Sequence, residues 1–144
     1  MIRSAEAYVL EVNDLHDGDR VVTLLTRERG KVRGVARGAK RKHSRFAGQL
    51  QPLAKVALTW FERDSQDLAR ISSVELLQPT LQWDGDLDAL LLVTYIADHL
   101  TEFVQENEPG ESYFRLLEAT TRALREGLSR AIVTRYFETW VLRI

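Results

Sequence analysis

The apolar positions change their period partway along the chain. In the first part they fall in short runs suited to strands. "AYVLEV" (7–12) is rich in β-formers, and "LHDGDR" turns the chain at Asp17-Gly18. "RVVTLLT" (20–26) is a β-branched, apolar run, and "RERG" turns the chain again at Gly30. "KVRGVAR" (31–37) alternates, and Gly34 between Val32 and Val35 reads as a bulge. After Pro52, "LAKVALTWF" (53–61) sets Ala54, Val56, Leu58 and Trp60 on one face. "ERDSQD" reads as a polar turn, and "LARISSVELL" (68–77) as a last strand before Pro79. Five strands this short and this close predict a small closed or partly closed barrel.

From there on the period becomes helical. "DLDALLLVTYIADHLTEFVQ" (86–105) puts Leu90, Val93, Ala97, Leu100 and Val104 on one face, with Asp84 or Asp86 as the cap. Pro109-Gly110 breaks the chain. "YFRLLEATTRAL" (113–124) is a second helix, stopped near Gly127. A third, "LSRAIVTRYFETWVLRI" (128–144), carries Leu128, Ile132, Tyr136, Trp140 and Ile144 at helical spacing. The expected fold is α+β, with a barrel module at 1–80 and a helical module at 81–144. The stretch "YFETWVLRI" is still apolar at Ile144, with no capping glycine and no polar tail. The expectation is that the chain continues there and that this helix packs against a further segment or a partner protein.

Charge adds what periodicity cannot. The 144 residues carry a formal net charge of −1, yet residues 1–80 balance to +4 and residues 81–144 to −5. Between Arg27 and Arg45 stand nine Lys or Arg against the single acid Glu28. Cations this dense repel one another unless a polyanion relieves them, and each phosphate they neutralise releases counterions. Small barrels bind single strands with a basic groove and aromatic stacking platforms. Phe61 lies on the strand face opposite Trp60, with Lys55 and Thr59, and is the better stacking candidate; Trp60 reads as core. Phe46 sits inside the basic tract, either as a platform or as an anchor of the tract to the barrel.

Other chemistries find little here. There is no cysteine, which excludes disulfides and thiolate metal sites. His16, His43 and His99 have no metal-site spacing. Asp84, Asp86 and Asp88 mimic the start of a calcium loop, but Ala89 and Tyr95 occupy the positions that need glycine and glutamate. Glycines 30, 34 and 38 match no phosphate loop, and no catalytic constellation is visible. The chain is expected to be a non-enzyme without cofactors. Its N-terminus lacks the apolar run of a signal peptide and no run approaches a membrane span, so a cytoplasmic, nucleoid-associated protein is expected.

The stretch "AYVLEVNDLHDGDRVVTLLTRERGKVRGVARGAKRKHSRFAGQLQPL" resembles the N-terminal region of the RecO family of bacterial recombination mediators. The resemblance rests on "LLTRERG", "VARGA", the basic "KRKHSR" and "GQLQPL" in that order, and the helical part also fits. It implies an oligonucleotide-binding (OB) barrel followed by a helical domain. It implies a protein that binds single- and double-stranded DNA and anneals complementary strands. Such proteins work with RecR, and in many bacteria RecF, to load RecA on DNA coated by single-strand-binding protein (SSB). Their helical domain takes the acidic, apolar C-terminal tail of SSB. Many members carry a four-cysteine zinc motif after the helix resembling "YFETWVLRI"; with no cysteine here, no metal carries over.

The expected DNA-binding residues are therefore Lys31, Arg33, Arg37, Lys40, Arg41, Lys42 and Arg45 on phosphates, with Phe46 or Phe61 as stacking platforms. Two rival readings remain: a protein-interaction module that binds an acidic partner tail, and an RNA-binding barrel.

Overall fold

The computed structural model describes residues 1–62, 68–80 and 87–144. The polar turn expected at 62–67, apart from Glu62, lies outside them, as do the capping and calcium-like Asp84 and Asp86.

Strands β1 (Ile2–Asp14), β2 (Arg20–Thr26), β3 (Gly30–Ala36), β4 (Lys55–Phe61) and β5 (Ala69–Gln78) close into a barrel in the order β1-β2-β3-β5-β4. All neighbours are antiparallel except β3 and β5, which pair in parallel at Gly34↔Ala69 and Val35↔Arg70. The barrel is the OB arrangement expected. β1 runs further at both ends than "AYVLEV" because two strands share it. Ile2–Tyr8 pairs with β4 and Ala7–Asp14 with β2. The register shifts between Val9 and Glu11, so Ala7, Val9 and Val12 can all serve the barrel interior.

No bulge occurs at Gly34, contrary to the reading above. The β2–β3 register runs unbroken through Val22↔Gly34. The glycine is there because β5 closes over it. A Cβ at this position would lie 2.6 Å from Cδ1 of Ile71 and 3.1 Å from the carbonyl oxygen of Ala69.

Helices α1 (Leu87–Phe103), α2 (Glu111–Arg125) and α3 (Arg130–Val141) follow. They explain why Ala7–Leu10 is buried at every position, where a one-sided strand would alternate. Ala7 and Val9 fill the barrel with Leu24, Leu58, Trp60 and Ile71. Tyr8 and Leu10, on the outer wall, join Leu25 and Leu53 in a second core with Ile96, Leu100, Phe114, Leu117 and Phe137 of the helices.

Two helix-face readings are corrected. Leu90 is exposed; the buried face of α1 is Ala89, Val93, Ile96, Ala97 and Leu100. On α3 the buried stripe is Val133, Phe137 and Val141, while Leu128, Ile132, Tyr136, Trp140 and Ile144 are exposed. The two stripes are one residue out of step, about 100° around the helix, and the structure covers only one of them.

The turn between β2 and β3 is fastened to the loop between α1 and α2. The amides of Lys31, Asn107 and Gly110 donate to the carbonyls of Gln105, Arg29 and Arg27 at 3.0, 3.1 and 2.7 Å. Gly30, at φ +61°, permits this approach: a Cβ there would run into the carbonyl oxygens of Gln105 and Glu108.

Candidate nucleic-acid interface

The segment between β3 and β4 forms no long helix or strand. It is a chain of tight turns, with amides of Ala39, Arg41, Ser44, Ala47 and Gln49 donating to carbonyls three residues back. Gly38 and Gly48 take the positive φ values that such turns demand. Contacts along its length hold the segment to the barrel, among them the Lys40 amide donating to the Gly18 carbonyl at 3.0 Å and the Leu53 amide to that of Val9 at 2.7 Å. The Gly38 amide donates to Oδ1 of Asp19 at 2.7 Å, near its start. Phe46 enters the barrel core. Gln49 Oε1 accepts from the Leu76 amide at 2.8 Å, near its end. Between these points the basic side chains are turned outward.

Eight of the tract's nine cations separate into a tied and an exposed group; the ninth, Arg29, is half-buried. Arg27 is committed to the helices: its guanidinium lies 3.5 Å from Glu111 and 3.3 Å from Glu118, and 4.0 Å from the centre of the Phe114 ring. Lys31 Nζ donates to the Thr101 carbonyl at 3.2 Å, which ties it to α1. Lys40 is 3.8 Å from Asp14. By contrast Arg33, Arg37, Arg41, Lys42 and Arg45 are exposed and form no ion pair among the described residues. A wall with five such cations can neutralise a polyanion without first breaking an internal pair.

The aromatic candidates also separate. Phe46 is only 2% exposed and packs inside the barrel, so its ring has no face left for a base. Phe46 is thus an anchor of the tract and not a stacking platform, with Arg45 5.0 Å above its ring. Trp60 is core as read, and its indole N–H donates to Glu62 at 3.0 Å. Phe61 is half-buried and lines a surface cleft of about 240 Å³ with Ile2, Arg45, Arg70 and Ser72.

Arg70 is the residue that sequence reasoning missed. The ladder aligns Ile2 with Phe61, Phe61 with Arg70, and Arg70 with Val35. These four therefore form one row across β1, β4, β5 and β3. Arg33 lies two residues before Val35 on β3, and Arg37 two residues after it, just past the strand end. The parity of "LARISSVELL" could have put Arg70 opposite Ile71, on the outer face. Only the closure between β3 and β5 puts it beside the tract.

On the opposite face of the same strands, beside Trp60, Glu62 binds Arg3 at 2.7 Å. Burial works against its carboxylate, but the Trp60 indole and the Arg3 guanidinium outweigh that and hold Glu62 below the usual glutamate range.

The helices offer a different surface. Leu116 and Ala119 of α2 and Tyr136, Trp140 and Ile144 from α3 onward line a groove of about 460 Å³, with Arg115 and Arg143 beside them. No group of three or more potential metal ligands occurs among the described residues. No helix among them is long and apolar enough to cross a membrane.

Comparison with known proteins covers both halves. Residues 1–80 match the family described as recombination protein O N terminal, and residues 84–144 the one described as recombination protein O C terminal. The chain is 33% identical over 144 residues to the DNA repair protein RecO of Koribacter versatilis, covering 100% of this chain and 59% of that protein. It is 38% identical over 135 residues to that of Anaeromyxobacter sp. (strain K), covering 94% and 53%. It is 34% identical over 139 residues to that of Geobacter metallireducens, covering 96% and 56%. The chain thus spans a little over half the length of these relatives. With both halves matched in order and one relative aligned from end to end of this sequence, the chain belongs to the recombination protein O family.

Proposed function

We propose that this chain binds DNA through the outer wall of its barrel and serves DNA repair as a recombination mediator. The observation that carries the reading is the set of five exposed, unpaired cations: Arg33, Arg37, Arg41, Lys42 and Arg45. They follow the sugar–phosphate backbone whatever the sequence, so both single and double strands are bound. Strand annealing follows from the same charge: neutralised phosphates on two strands held close repel one another less. Residues 1–80 act as the nucleic-acid module and residues 81–144 as the module for protein partners, in the cytoplasm at the nucleoid.

The test is fluorescence anisotropy of a labelled oligonucleotide over a salt series. Five phosphate contacts give a log–log slope of about −3.5 on single strands and about −4.5 on duplex. Binding that is absent, or flat with salt, overturns the reading. An RNA competitor that displaces DNA at lower concentration would favour the RNA-binding alternative.

The groove between α2 and α3 supports a protein partner. Tyr136 and Trp140 are about half exposed beside Arg115 and Arg143, a pairing of apolar and cationic groups that suits an acidic, apolar peptide. The family resemblance makes the SSB tail that peptide, and extends the reading to RecA loading with RecR and RecF. Titration with the tail peptide tests it: Trp140→Ala abolishes binding if the groove is the site. Binding of the peptide with none of DNA would favour the interaction-module alternative.

A further inference from the structure

We infer that Lys42, and after it Lys40, are acylation sites through which an acyl phosphate loosens the barrel wall's hold on DNA; this rests on the DNA-binding reading above. The chain carries sixteen arginines but only four lysines: Lys31, Lys40, Lys42 and Lys55. Acylation removes the charge of a lysine amine, whereas an arginine guanidinium stays charged. The modification can therefore erase four side-chain charges at most, and its effect depends on which of the four the fold presents.

The fold withholds two of them. Lys31 is half-buried, and its Nζ donates to the Thr101 carbonyl at 3.2 Å. Lys55 is only 14% exposed at its side chain, with Nζ 3.4 Å from Glu6 and 3.3 Å from Glu118. The other two stand at the centres of tight turns. The Ser44 amide donates to the Arg41 carbonyl at 3.1 Å, which closes a turn around Lys42 and His43. The Arg41 amide donates to the Gly38 carbonyl at 3.0 Å, which closes the preceding turn around Ala39 and Lys40. Both lysines are exposed. Lys40 has Asp14 at 3.8 Å, while Lys42 forms no ion pair among the described residues, and this sets their order. Arg37, Arg41 and Arg45 stand around them in the sequence and are exposed too. The charge that suits this wall to a phosphate backbone therefore also concentrates an anionic acyl donor. In the reaction the ammonium first gives one proton to water. The neutral amine then attacks the acyl carbon, and the N–C bond forms as the C–O bond to phosphate breaks. The second proton leaves with the phosphate, and the amide left behind carries no charge.

The experiment treats the parent chain and the double variant Lys40→Arg/Lys42→Arg with acetyl phosphate. Peptide mass spectrometry then maps the acetyl groups, and a labelled oligo-dT is titrated over a salt series. Lys42 is expected to react first and Lys40 next. Lys31 and Lys55 must first break contacts that involve a charge, and are expected to lag by about 10-fold or more. The treated parent should lose about 0.7 from its salt slope once Lys42 is modified, and somewhat more once Lys40 follows. Lys40→Arg/Lys42→Arg keeps both charges and cannot be acetylated at either position, so treatment should leave its binding unchanged. It retains the amine of Met1, which donates to the Glu62 carbonyl at 2.9 Å, so the comparison separates that amine from the two lysines. Acetyl groups spread evenly over the four lysines, or a double variant that loses as much slope as the parent, would overturn the inference and leave the DNA-binding reading standing. An untreated parent that binds no oligonucleotide would overturn both.

Discussion

The cations on the two sides of β3 meet opposite fates. Arg27 and Lys31, at the end of the barrel nearest the helices, are bound by Glu111, Glu118 and the Thr101 carbonyl. Arg33, Arg37, Arg41, Lys42 and Arg45, further along, are left to solvent. In sequence the two groups are one continuous basic run. What separates them is the acidic helical half, which covers one end of the barrel and stops short of the other. Net charge near zero thus conceals pairing that is local: Arg27 meets acids where the modules touch, while the five cations further along form no ion pair among the described residues. The first group holds the fold together and the second is the surface available to a polyanion.

The sharpest way to break that division is through its anchor. Phe46 is the buried point that holds the exposed group against the barrel. Phe46→Ala is expected to destabilise the chain by about 3–5 kcal/mol, read by urea denaturation. Its DNA affinity should fall as well, because the turns lose their fixed position. A loss of stability with unchanged affinity would show that the cations bind without being held.

Next comes the tied group. Arg27→Met removes the charge and leaves Glu118, three-quarters buried at its side chain, with Lys55 as its remaining partner at 3.3 Å. A loss of about 2 kcal/mol is expected, since hydrogen bonds to charged groups contribute about 1.5–3 kcal/mol. The DNA salt slope should not change. A fall in that slope would place Arg27 in the second group and erase the comparison.

Much of the barrel was legible because strand parity is a strong signal. Ala54, Val56, Leu58 and Trp60 lie inside as their spacing requires, and β2 begins and ends where its apolar run does. The site was legible only where local sequence suffices. Lys31 and Arg33 differ by one pleat and look equivalent, yet Lys31 reaches Thr101, a partner 70 residues away. No local pattern announces such a partner. Arg70 was hidden for the same reason, since its neighbour Val35 is brought to it only by barrel closure. Gly34 shows the converse error: a glycine in a strand was read as a bulge when the cause was Ile71 packing above it. On α3, two apolar stripes one residue apart gave no basis for choosing which would be covered.

Lys40 lies on the border between the groups, exposed but 3.8 Å from Asp14. An exposed pair of this kind contributes about 0–1 kcal/mol. Arg41→Ala/Lys42→Ala should lower the single-strand salt slope by about 1.4, two contacts at about 0.7 each. Adding Lys40→Ala should lower it by less than a third contact would. Stability of all these variants should stay within about 0.5 kcal/mol of the parent. A full third contact from Lys40 would show that a surface ion pair does not remove a cation from the binding surface, and the division would then rest on burial alone.

The smallest effect is also the most selective. Arg3 is a paired cation near the start of β1, beside Trp60, and its partner Glu62 is held below the usual glutamate value of 4.5. A carboxylate whose folded value is lowered adds stability that is complete above its unfolded value and is lost as pH falls through the folded one. Glu62→Gln cannot titrate. The parent should therefore exceed Glu62→Gln by about 1 kcal/mol near neutrality, and the gap should close as pH drops below 4.5. Denaturation midpoints over that range read it directly. At neutral pH the same variant leaves Arg3 without its carboxylate. If position on the wall decides the two groups, the DNA salt slope stays where it was. If it steepens by about 0.7, pairing alone was keeping Arg3 out of the exposed group.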